Sequence, residues 1–196
     1  MQWWEKTVEY KFVVDAFREG KCEFATPLSG KQERLAGDAV FGSQSLLVLI
    51  EFKRNKTEIP TERSLFHDYE KAQEELSNYD HHHIVFGVQS QNSLGTLELA
   101  AQTYFSGRPR TSALDSLRFG INGERFRQYV EALARLKKED GRSTSGHISP
   151  EALSSVMSIS KDGEILAAMP LYEYAPDLFL ADHPDETPPP TQRNAP

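Results

Sequence analysis

Five uninterrupted branched or long aliphatic residues, Leu46-Leu47-Val48-Leu49-Ile50, run straight into Glu51-Phe52-Lys53. The apolar run is the pattern of a strand buried on both faces in the middle of a sheet. Such a strand is expected to stay apolar or stop, yet this one carries an acid and a base two positions apart. Alternate residues of a strand share a face, so Glu51 and Lys53 project together from its end while Phe52 packs behind. Two ionised groups there are costly unless something outside the chain compensates, which marks the stretch as a candidate site. The competing reading is a surface ion pair worth ~0–1 kcal/mol.

Around that strand the chain reads as α/β. Residues from about Trp3 to Glu19 have helical spacing, with Trp4, Val8 and Phe12 as the apolar stripe and Gly20 as the stop. Glu5 and Glu9 share one face beside the stripe; they also read as exposed acids favoured by a helix N-terminus. Leu35 to Phe41 reads as a short strand carrying Asp38, joined to the Leu46 strand as a hairpin through Gly42-Ser43-Gln44-Ser45. Asp38 as a turn residue after Gly37 is the other reading. Beyond Pro60 a helix is expected from a cap at Thr61 to Tyr79, with Leu65, Tyr69, Ala72, Leu76 and Tyr79 on one face. Ile84 to Val88 is a second buried strand, and strand, helix, strand at this spacing predicts a parallel crossover. His81-His82-His83 reads as a strand-entry loop rather than a zinc site, because sequential residues diverge and no spaced Cys or His accompanies them.

The second half is less legible. Leu97 to Phe105 is compatible with helix or strand, whereas Gly123 to Glu139 reads as a helix with Phe126, Tyr129, Val130, Leu133 and Leu136 on one face. Gly141 to Ser149 reads as a loop, and Ser154–Ser160 with Ile165–Tyr174 as a hairpin turning at Asp162-Gly163. The Pro-rich polar stretch 181–196 is expected to be disordered. A length of 196 residues suits a single domain over 1–180, with a core of about 3–105 and an extension of about 106–180. The lone Cys22 suits a reducing cytosol. No apolar run approaches the ~20 residues of a membrane span, and the start of the chain lacks the regions of a signal peptide. A cytoplasmic protein without a membrane partner is therefore expected.

Net charge is −7, which taken alone argues against a nucleic-acid partner. The charge is unevenly spread: Phe105 to Arg142 holds nine basic against five acidic residues, so this segment is +4 and the remainder −11. Such a segment reads either as a footprint for phosphate or as a solvated helix face of mixed charge.

A helix bearing Glu, a strand with Asp, Glu-x-Lys closing a buried strand, then helix and strand: this ordered set resembles the core of the PD-(D/E)XK nuclease superfamily, loosely its Mrr-type members. The resemblance covers roughly Trp3 to Gln89 and implies a restriction-endonuclease-like fold. That fold is a mixed central sheet flanked by helices, here with a C-terminal helix and β-hairpin extension. It assigns Asp38 to the motif's Asp, Glu51 to its second acid and Lys53 to its Lys, with Glu5 or Glu9 as the helical Glu. Gly37 stands where the motif has Pro. Gln73 and Tyr79 are similar to accessory residues that some members carry on the following helix, at a different spacing.

The activity implied is metal-dependent hydrolysis of nucleic acid, DNA before RNA, in phage defence, restriction or a mobile element. Hard divalent cations suit that chemistry, because Mg²⁺ (or Mn²⁺) is held by one or two carboxylates with waters and phosphate completing the octahedron. By resemblance Asp38, Glu51 and the Phe52 carbonyl hold the ion, and Lys53 orients the attacking water or offsets charge. Arg108, Arg110, Arg125 and Arg127 are the expected phosphate contacts. A homodimer or larger assembly is compatible with this reading. A catalytically inactive protein of the same fold, binding nucleic acid or a protein, and an unrelated α/β interaction protein are the alternatives. Retention of all three motif residues favours the enzyme over the inactive form.

Overall fold

The computed structural model describes residues 3–22, 24–27, 39–43, 46–90, 95–138, 156–159 and 165–169. The architecture is mixed α/β, a mixed sheet flanked by helices. Helix α1 (Glu5–Arg18) is followed by β1 (Phe24–Pro27), β2 (Ala39–Ser43) and β3 (Leu46–Lys53). A 3₁₀ segment (Lys56–Leu65), α2 (Tyr69–Leu76), β4 (His82–Gln89) and β5 (Leu97–Thr103) come next. A second 3₁₀ segment (Leu114–Phe119), α3 (Gly123–Leu136), β6 (Val156–Ile159) and β7 (Ile165–Met169) complete the order. The strands lie in the order β5-β4-β3-β2-β1-β6-β7. Every described pairing is antiparallel except β3 with β4, the parallel pair expected of the crossover.

Helix α1 ends as its sequence dictates. Gly20 takes a left-handed φ of 60°, its N–H donates to Phe17 O at 3.0 Å and that of Lys21 to Ala16 O at 2.8 Å. These two bonds form a Schellman motif, and glycine accepts the left-handed backbone without a Cβ penalty. Val8, Phe12 and Ala16 are the buried stripe; Trp4, expected to belong to it, is exposed at the N-cap.

Other expectations need correction. The single helix from Thr61 to Tyr79 is two elements, a 3₁₀ segment holding Pro60 and the shorter α2. Asp68, not Thr61, caps the α-helix, its carboxylate accepting from Lys71 N–H at 3.0 Å. Phe66 leaves helical backbone for the extended region, and the Asp68 cap starts α2 after the break. The hairpin connection is shorter than Gly42–Ser45: Gly42 and Ser43 are strand, and Ser43 pairs with Leu46. His82 and His83 lie inside β4 rather than in a loop before it. The strand β1, unforeseen because Pro27 reads as a turn signal, lies between β2 and β6. The C-terminal hairpin, β6 with β7, therefore extends the central sheet. The loop 141–149 and the tail 181–196 lie outside the described residues.

The sheet separates two apolar layers. Leu47 and Leu49 of β3 pack with Phe66, α2 and α3, while Val48, Ile50 and Phe52 pack with α1, Ala39 and Val85. Burial on both faces accounts for the unbroken aliphatic run. At the end of β3 the backbone comes very close to β4: a Cβ on Gly87 would lie 2.7 Å from Arg54 O and 2.9 Å from Leu97 Cδ1. A backbone carbonyl cannot step aside as a flexible side chain can. Gly87→Ala is therefore expected to destabilise the fold by about 1–3 kcal/mol, seen as a lower urea midpoint with unchanged slope. An unchanged midpoint would show that this approach relaxes freely.

Candidate active site

The odd-numbered face of β3 turns polar at its end. Glu51 and Lys53 extend the series Leu47, Leu49 onto the α2–α3 side, and both are buried. Lys53 Nζ lies 2.6 Å from Glu51 Oε1 and 2.8 Å from Glu62 Oε1. Glu62, on the first 3₁₀ segment, uses its other oxygen to accept from the Tyr104 hydroxyl at 2.6 Å. Burial works against the Lys53 charge, but the two carboxylates outweigh it and hold the ammonium protonated well above the ordinary lysine range. Burial, reinforced by Glu62, likewise keeps the Tyr104 phenol protonated as a donor.

The helical acids divide. Burial raises the Glu5 carboxyl above its usual range, an effect Lys53 opposes and Glu58 and Glu62 reinforce, so Glu5 stands within electrostatic reach of the cluster. Glu9 is buried and bound to Lys6 at 2.7 Å. Glu58 is paired with Arg54, next to Lys53 in the chain. Asp38 lies outside the described residues; the last pair of the β2–β3 ladder is Ala39 with Ile50, whose neighbours in sequence are Asp38 and Glu51. Phe52 points into the α1 layer and stacks edge-on with Phe12 at 5.6 Å.

Gln73 and Tyr79 are away from this cluster. Gln73 donates to Phe105 O at 2.7 Å, and the Tyr79 ring packs on His81 and Tyr129. The expected phosphate contacts are elsewhere as well. Arg108 and Arg110 lie beyond the outer edge of β5, where Pro109 bridges to Gln102, two strands from β3. Arg108 is bound to Asp80 at 2.5 Å. Arg110 is enclosed, stacked on Phe119 at 3.7 Å and donating to His83 Nε2 at 2.8 Å. Arg127 bridges Glu124 and Glu131 along α3, while Arg125 is exposed there.

Glu62 and Tyr104 belong to the cluster without any signal in the sequence. Glu62 falls in a polar stretch that reads as a helix start, and Tyr104 in a run compatible with helix or strand. Their union depends on β5 returning beside β4.

Among the described residues no three His, Cys, Asp or Glu side chains converge as a metal-ligand set. Mg²⁺ asks for less, one or two carboxylates with waters and substrate phosphates. Glu51 and Glu62 bring two carboxylates to one buried ammonium. Carboxylate oxygens are hard donors, the kind that suits a hard divalent cation. A comparison with family models, curated proteins and solved structures returns no match for this chain.

Proposed function

We propose that this protein is a Mg²⁺- or Mn²⁺-dependent nuclease of the PD-(D/E)XK type, acting on DNA before RNA. The observation that carries the reading is the buried Glu51–Lys53 pair, which closes the central parallel strand on one face, beside a hairpin that pairs Ala39 with Ile50. The element order from α1 to β4 supports the restriction-endonuclease-like core, with β6 and β7 added to its sheet.

In this reading Asp38, Glu51 and the Phe52 carbonyl would hold the cation, and Glu5, which feels the Lys53 charge, would bind it through water. When bound, the cation lowers the pKa of a coordinated water and offsets charge on the phosphate. Lys53, kept charged by its two carboxylates, orients the attacking water or stabilises the phosphorane-like charge as it develops. Exposed Arg125 is the better placed of the four arginines for a backbone phosphate, because the other three are already paired. The test is cleavage of duplex DNA, single-stranded DNA and RNA, with and without Mn²⁺. Cleavage that needs the ion and disappears in Lys53→Met is the expected result. DNA binding without cleavage under every condition would instead mark the protein as an inactive member of the fold.

A further inference from the structure

We propose that Glu62, oriented by Tyr104, is a positioning residue that keeps the Lys53 ammonium in place when Glu51 is engaged elsewhere. The purpose of the contact rests on the nuclease reading; the contact itself rests on geometry. Lysine carries its charge on a flexible four-carbon stem with three rotatable donors. With a single anchor it would follow Glu51 whenever that carboxylate turned toward a cation. Glu62 is 4% exposed and divides its oxygens, Oε1 to Lys53 and Oε2 to the Tyr104 hydroxyl.

Tyr104 is itself fixed. Its ring is stacked on His82 at 4.0 Å and 13°, and His82 Nδ1 is 2.7 Å from the Tyr129 hydroxyl. A line of enclosed groups from α3 through β4 thus ends on Glu62. Outer contacts of this kind typically change activity by ~10–100-fold when removed.

The experiment follows the Lys53 ammonium by NMR in ¹⁵N-lysine-labelled protein, the signal assigned by its loss in Lys53→Met. Glu51→Gln stands for a Glu51 engaged elsewhere, so no metal is needed. A slowly exchanging Lys53 signal should persist in the parent and in Glu51→Gln. It should broaden away when Glu62→Ala or Tyr104→Phe is added to Glu51→Gln. Tyr104→Phe removes one oxygen and keeps the stacked ring, so it reads the contact even where Glu62→Ala fails to fold. With Glu51 intact, Glu62→Ala should lower kcat ~10–100-fold while KM for DNA stays within about threefold. A Lys53 signal that stays sharp in both double variants would overturn the proposal. If the parent cuts no nucleic acid, the nuclease reading falls, and the ammonium signal still decides whether Glu62 is the anchor.

Discussion

Lys53→Ala is expected to lower nuclease turnover by roughly two to four orders of magnitude, the range for losing a proton-transfer or charge-stabilising group. Affinity for Mg²⁺ should survive, because on the nuclease reading Lys53 meets water or phosphate and not the ion. Asp38→Ala should instead abolish cleavage together with Mg²⁺ binding measured by calorimetry, since on the nuclease reading it removes a ligand. The structure adds a condition to the first experiment. Lys53 is paired with two buried carboxylates, and removing one partner from a buried ion cluster costs ~3–5 kcal/mol because charge is left uncompensated. Activity therefore has to be referred to folded protein, with thermal melts run in parallel. Lys53→Met, which fills the same volume, separates lost packing from lost charge. Parent-like cleavage by both Lys53→Ala and Asp38→Ala would remove these residues from any active site.

The second large effect is on stability against acid. Burial pushes His81 and His83 down to about 3 from 6.5, with Arg125 adding to the effect at His81 and Arg110 at His83. Burial also drives His82 well below its usual value, helped by Lys137. Both ring nitrogens of His81, Nε2 of His82 and Nδ1 of His83 lack a hydrogen-bond partner, so these rings sit neutral among aromatic neighbours. Their folded pKa values lie below the unfolded ones, so between about pH 6.5 and 3 the unfolded chain binds protons that the folded chain does not. Stability is complete above pH 6.5 and falls as pH drops, by about 1.4 kcal/mol per pH unit for each histidine. Over His81 and His83 that is about 4 kcal/mol by pH 5, a large part of an ordinary folding free energy, and His82 acts in the same direction. Urea midpoints between pH 8 and 5 should fall steeply, and His81→Phe should remove about one proton from the slope. A midpoint that ignores pH over this range would mean that the rings are solvated or already charged.

The sequence by itself determined the elements whose burial is periodic or complete. The aliphatic run Leu46–Ile50 required a central strand, the stripe from Phe126 to Leu136 required α3, and Gly20 required the end of α1. The parallel β3–β4 pair followed from the length of chain between two buried strands. In each case the information is local: one face or one backbone conformation, repeated over a few residues. Glu51 and Lys53 were legible for the same reason, as charges where a buried strand should have stayed apolar.

Tertiary structure alone decided what those charges meet. Glu62 and Tyr104 are separated by 42 positions in the chain and joined by one hydrogen bond, and no periodicity links them. The chain breaks between Leu65 and the Asp68 cap where apolar spacing looked continuous, and Glu62 lies on the separate 3₁₀ segment before that break, against Lys53. Arg108 and Arg110 drew their partners from residues far along the chain, Asp80 and His83, so local charge could not say that these two are engaged. Pairing of this kind depends on which strands become neighbours in the sheet, and side-chain periodicity carries no record of that.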